Sequence, residues 1–215
     1  MRNQLLLSSL AVALLLGCST SSYNTPAATP SPSMSMSQSA ALTDAMRKLW
    51  ADHVVWTRLY IIAAVNGTAD AQPTADRLLQ NQEQIGQAIV PFYGAAAGQK
   101  LTDLLKQHIL IAVDLVTAAK ANDQAKFTDA DQRWHANAAD IATFLSGANP
   151  NWNRQAVLDM LNQHLSLTTH EAVDRLQRNY TDDVSTFDSI FNQAMMMADT
   201  LSSGIIKQFP SQFTM

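Results

Sequence analysis

The chain has 215 residues, with 14 basic against 18 acidic side chains and a formal net charge of −4, a balance that argues against a nucleic-acid partner, which wants a basic face. Cys18 is the only cysteine, so no internal disulfide is possible and a folded body must hold by its core alone. The roughly 170 residues beyond the N-terminal region suffice for one domain burying about two thirds of its unfolded surface.

The first 17 residues read as a signal peptide: a short n-region with Arg2, an apolar stretch over 5–16, then Leu15-Leu16-Gly17-Cys18, which resembles a lipobox. The apolar stretch is too short to span a bilayer, which takes about 20 residues. The expectation is therefore a chain anchored through an acylated Cys18, since several fatty chains bind a membrane far more firmly than one. Resemblance to lipoproteins implies export. Ser19 in the next position implies an outer membrane, with the protein facing the periplasm. Residues 18–40 are rich in Ser, Pro, Ala and Met without apolar periodicity, which predicts a flexible tether. Met34 and Met36 in it offer soft sulfur that suits Cu(I), a weak signal.

Residues 41–215 read as an all-α domain. Thr43 and Asp44 offer caps for a helix ending at Asn66, before Gly67. A second helix starts at Pro73 or Thr74 and stops before Pro91. The Phe92-Tyr93-Gly94 loop leads to a third over 97–121, and a fourth runs from 122–123 to Gly147. The fifth covers 153–179 and the sixth 181–208. No segment alternates as a half-buried strand does. The lengths predict a four-helix bundle made of the first, third, fifth and sixth helices, with the two others packed around it.

Polar residues interrupt each apolar stripe. His53 lies in the row Trp50, His53, Thr57, Tyr60; His108 follows Leu101 and Leu104; His164 heads the row His164, Thr168, Glu171, Arg175. On the sixth helix the row Val184, Asp188, Phe191, Met195, Asp199 carries two carboxylates. Buried without partners, such groups cost several kcal/mol each, so they are expected to meet one another or an ion. Imidazole and carboxylate form the ligand set of Zn, Fe, Mn or Cu. His53, His108, His164, Glu171, Asp188 and Asp199 are thus the candidate metal ligands, the two aspartates either ligating or orienting imidazoles. Trp56, Arg58 and Asn137 are candidates to bind or orient a ligand beside them, with Arg58 pairing with Asp114, Asp140 or Asp199. A carboxylate-bridged di-iron centre is disfavoured, because His170 and Glu171 are adjacent and point about 100° apart rather than forming a Glu-x-x-His pair.

No Gly-x-Ser-x-Gly, phosphate-cradling glycine loop, His-Glu-x-x-His or catalytic cysteine occurs. The strings Trp56-Thr57-Arg58, Arg77-Leu78-Leu79-Gln80-Asn81-Gln82, Arg133-Trp134-His135-Ala136-Asn137 and Met197-Ala198-Asp199 resemble those of a family of small bacterial helical proteins. That resemblance implies one helical domain after residue 45 and adds no activity. Three readings follow: binding or sensing of a divalent transition metal in the bundle core; an enzyme using Glu171 or Asp199 as base and Arg58 to hold an anionic group; and an envelope interaction or structural protein whose buried polar network fixes helix register.

Overall fold

A computed structural model describes residues 37–213. Cys18, Met34 and Met36 lie outside them, as do the leader and most of the tether. Among the described residues there are helices and no strand, and no helix is long and apolar enough to cross a membrane.

Local chemistry sets the helix ends. Helix α1 (Gln38–Asn66) starts at Ser37, whose side chain accepts a hydrogen bond from the Ala40 N–H at 3.2 Å, so it begins before Thr43 and takes in the end of the expected tether. Gly67, in the left-handed region at φ 69°, closes it. Helix α3 (Gln124–Ala148) is capped by Asp123, and α4 (Arg154–Gln177) by Asn153. Helix α5 (Tyr180–Gln208) carries Asp182 and Asp183 in its first turn, where acidic groups suit the helix dipole.

The second and third predicted helices are the two arms of one element, α2 (Ala71–Lys120). The first arm runs through Pro91 rather than stopping before it, and Gly94 at φ 81°, ψ 167° breaks the element into 71–93 and 95–120, a conformation that glycine tolerates without a Cβ penalty. The arms then fold back on each other. A Cβ on Gly86 would lie 2.6 Å from the Gly98 carbonyl oxygen, so the two glycines are what let the backbones approach so closely. Glu83 and Lys106 pair across the same crossing.

Helix α1 packs against α2 and α5, α2 against α3, α3 against α4, and α4 against α5. The apolar interior has two parts. The larger includes Trp50, Val54, Leu101, Trp134, Leu161 and Leu165; the smaller is Tyr60, Ile61, Ala75, Val116 and Ala172. On α1 Thr57 lies between them, one turn after His53, and on α4 Thr168 does, one turn after His164. Polar residues thus stand where one apolar cluster gives way to the other.

Candidate functional site

His53, His108 and His164 come from α1, the second arm of α2, and α4, and each is about 3% exposed. Their rings meet. The His53 and His164 centroids lie 5.6 Å apart and those of His108 and His164 6.3 Å apart. Trp50 stands edge-on to His53 at 5.5 Å, and Trp134 lies 5.1 Å from His108. Burial, reinforced by the neighbouring imidazoles, pushes His53 well below its ordinary range. Burial and the proximity of His164 take His108 down to about 3, and burial takes His164 to about 4. All three are neutral at physiological pH, the form in which imidazole ligates metals.

Each imidazole is faced by a buried carboxamide from a neighbouring helical segment. The His108 Nδ1–H donates to Asn137 Oδ1 at 2.9 Å, while Asn137 Nδ2 donates to the Leu104 carbonyl at 3.1 Å. Gln82 Nε2 faces His53 Nδ1 at 3.2 Å and donates to the Leu78 carbonyl at 2.8 Å and to Asn81 Oδ1 at 3.1 Å. Gln193 Nε2 donates to the Met160 carbonyl at 2.9 Å. Its Oε1 and His164 Nδ1 both fall short of hydrogen-bond geometry with any partner, yet this amide is near enough to counter part of the effect of burial on His164. The side-chain polar atoms of Trp50, Trp134 and Thr168 and Oε1 of Gln82 are likewise buried without a partner. A mostly apolar cavity of about 20 Å³, lined by Ile61, Leu78, Ile109, Leu115 and Val116 and bordered by His53, Thr57, His164 and Thr168, adjoins this cluster, the size of about one water molecule.

The candidate carboxylates are elsewhere. Glu171 lies two turns from His164 on α4 and turns to Arg58, whose Nη1 donates to Oε1 at 2.5 Å. Arg58 also grips Asp183 through two nitrogens at 2.9 and 3.1 Å, and Arg175 reaches Asp183 at 3.2 Å. Both carboxylates have almost no exposed side-chain surface. Burial raises Glu171 to about 7 despite the attraction of Arg58. Phe187 lies 4.7 Å from the Arg58 guanidinium carbon, the distance of a cation–π contact. The partner of Arg58 is therefore this pair rather than Asp114, Asp140 or Asp199. Asp114 pairs with Arg133, and Asp140 is exposed.

Asp188 is exposed, and Asp199 holds Arg47 in a two-pronged surface pair at 2.6 and 2.7 Å. Neither is brought to the imidazoles. The inward face of α5 is Asp183, Ile190, Ala194, Met197, Leu201 and Ile205; the row through Val184, which is 54% exposed, runs beside it. Trp56 is half-buried at the α1–α2 contact, beneath the Arg77 guanidinium at 5.1 Å. Asn137 stands where a residue orienting an imidazole belongs. Gln82, Gln193 and Asp183 were not singled out by the sequence; a search for amides on inward rows finds the first two.

As the side chains stand, no three His, Cys, Asp or Glu residues among those described are grouped to hold a metal ion. The imidazole cluster offers neutral nitrogen donors, and the charge cluster is internally balanced with two guanidinium groups against two carboxylates. No protein-family model matches the chain, and no curated protein or solved structure is significantly similar to it.

Proposed function

We propose that the protein is an envelope protein, anchored through acylated Cys18 and facing the periplasm from the outer membrane, whose imidazole cluster binds one divalent transition-metal ion. In this reading α1, the second arm of α2, α4 and α5 form the four-helix bundle, with the first arm of α2 and α3 packed around it. The kinship with small bacterial helical proteins belongs to the same proposal.

The observation that carries the metal reading is the meeting of three neutral, buried imidazoles from separate helical segments. Two imidazoles sharing an ion at nitrogen–metal distances of 2.0–2.1 Å set their ring centroids roughly 5 Å apart. The observed 5.6 and 6.3 Å leave the metal-free rings to close by about an ångström. The donor set is nitrogen, because Glu171, Asp188 and Asp199 lie elsewhere; that favours Zn or Cu over Mn, which suits oxygen ligands, with Fe between them.

Metal analysis of the full-length protein, purified without chelator and reloaded with Zn(II) or Cu(II), tests this. One ion per chain is expected, with occupancy lost in His164→Ala, the central ring of the three. Absence of stoichiometric metal overturns the reading.

A second reading, a buried network that fixes helix register, is favoured by the satisfied Nδ1 atoms of His53 and His108. It expects no metal and no change of unfolding temperature on adding it. The enzyme reading has less support, since the guanidinium it needs for an anionic substrate is held by Asp183 and Glu171.

A further inference from the structure

We infer that the described body is three tandem copies of one helical hairpin, 37–94, 95–150 and 151–213, closed into a ring of six helical segments. Each copy sets one imidazole of the cluster at the same post. This goes beyond the metal reading and stands whether or not an ion binds.

In each copy the first helix ends on a residue at positive φ, fourteen positions after its histidine: Gly67 after His53, Asn122 after His108 and Arg178 after His164. All three turns close with the same pair of backbone bonds. Gly67 and Thr68 donate to the carbonyls of Ala64 and Ala63, Asn122 and Asp123 to those of Ala119 and Ala118, and Arg178 and Asn179 to those of Arg175 and Asp174. Such a turn is a common helix ending, but nothing in it demands a fixed distance from a buried histidine. Positive φ is also uncommon for a residue with a long side chain, so Arg178 takes the conformation that its place in the copy requires.

The second helix of each copy returns in register too. A buried amide on it donates to the carbonyl four residues before the histidine: Asn81 to Leu49 at 3.0 Å, Asn137 to Leu104 at 3.1 Å, Gln193 to Met160 at 2.9 Å. Five residues beyond the amide stands a buried small residue, Gly86, Ala142 or Ala198. From the positive-φ residue to the amide is fourteen positions in the first copy and fifteen in the other two, a difference of one residue that a turn tolerates.

The copies are joined at one end. There the Tyr93 hydroxyl donates to Gln208 Oε1 at 2.8 Å and accepts from Asn149 Nδ2 at 2.9 Å, one group from each copy. Arg47 meets Asp199 and Arg58 meets Asp183, so α1 and α5 run antiparallel and bring residues 37 and 213 to that same end. Two seams of the ring are spanned by the chain, at Gly94 and at 149–153; the third, α5 against α1, is not, and there the copies differ. Seven positions after the histidines stand Tyr60, Leu115 and Glu171, and the acid reaches Arg58 across the open seam. The charge cluster closes the seam that the chain itself does not.

The test keeps every residue of the full-length chain, with residues 1–36 first, and reorders the body. One chain opens between 94 and 95, a second between 150 and 151, and a third, inside the first copy, between 68 and 69. In each, the natural C-terminus is joined to residue 37 by a glycine–serine link of about eight or about sixteen residues. All three openings fall at exposed turn positions, so exposure alone predicts no difference among them. With the hairpin as the unit, the first two orders keep a single urea transition, and its midpoint lies at least roughly 0.5 M above that of the third. Loss of the transition in either boundary order at both link lengths, or a third midpoint that matches them, overturns the inference. Equivalence of the turns is read by exchange in the natural order. Arg178→Asn, which gives the third copy the residue of the second, holds or raises the midpoint, because Asn accepts positive φ more readily; a fall of more than roughly 0.5 M overturns the equivalence.

Discussion

The charge cluster around Arg58 and the imidazole cluster about Thr57 and Thr168 sit one to two turns apart along α1 and α4, and they meet the cost of burial in opposite ways. In the first, Arg58 and Arg175 balance Glu171 and Asp183. In the second, charge is avoided: the rings are neutral, amides stand behind them, and several polar atoms have no partner. A balanced network contributes register and order, whereas an under-satisfied one is where a ligand has something to gain. The comparison separates what holds this bundle together from the region proposed to bind an ion.

The largest expected effect breaks the charge cluster. Arg58→Ala leaves Glu171 and Asp183 buried with only Arg175 to answer them, and removing one partner of such a network costs about 3–5 kcal/mol. Urea unfolding of the metal-free protein measures it. A loss below about 1 kcal/mol would place the cluster with exposed pairs, which contribute little. His164→Leu in the same metal-free protein is the counterpart: Nδ1 has no hydrogen bond to lose, so a volume-conserving apolar ring replacement costs less than about 1.5 kcal/mol.

Acid distinguishes the two clusters next. The imidazoles have depressed pKa values, so in metal-free protein below about 6.5 the unfolded chain takes up protons that the folded chain refuses. Their contribution is present above that pH and is lost as pH falls toward the folded values of about 4 for His164 and about 3 for His108. Glu171 has the opposite sign. Raised to about 7, it binds a proton in the folded state first, so its contribution is present below about 4.5 and is lost as pH rises through 7. Between pH 4.5 and 6.5 three protons favour unfolding and one opposes it, a net slope of up to about 2.7 kcal/mol per pH unit. Unfolding midpoints across that window should fall steeply with acid. In Glu171→Gln, which removes the opposing group, they should fall more steeply still; an unchanged slope would mean that Glu171 does not titrate there.

Much of this arrangement was legible in the sequence. Helix ends followed from Gly67, Asn122 and Asn153, the break in α2 from Gly94, and the inward histidines from their place in apolar rows, whereas Pro91 did not end the helix as its ring chemistry suggested. The α5 face was harder to read, because two rows one residue apart both contain apolar and acidic positions. Packing chose the row through Asp183 and Ile190, where Arg58 compensates the acid; periodicity alone carries no information about a partner 125 residues away. The amides escaped for a related reason. Gln82 and Gln193 look like surface residues by type, and only the helix across from each shows that it backs an imidazole. The reversal of α2 rests on Gly86 and Gly98, whose role is visible only when the two backbones touch.

The smallest effect is the sharpest test of the contrast within the imidazole cluster. Thr57 and Thr168 both border the cavity beside His53 and His164, but Thr57 Oγ1 donates to the His53 carbonyl at 2.7 Å while Thr168 Oγ1 has no partner. Valine conserves the shape of either side chain and removes only the hydroxyl. In Thr57→Val a made hydrogen bond is lost, costing about 0.5–1.5 kcal/mol. In Thr168→Val an unsatisfied hydroxyl is removed from the core, so stability should hold or rise by up to about 1 kcal/mol. Thermal unfolding of the two metal-free variants side by side reads the difference in sign. Should Thr168→Val destabilise as much as Thr57→Val, its hydroxyl is engaged in solution, by an ordered water for which the cavity has room. The imidazole cluster would then be as well satisfied as the charge cluster, and the distinction between a holding region and a binding region would fail at the residue that joins them.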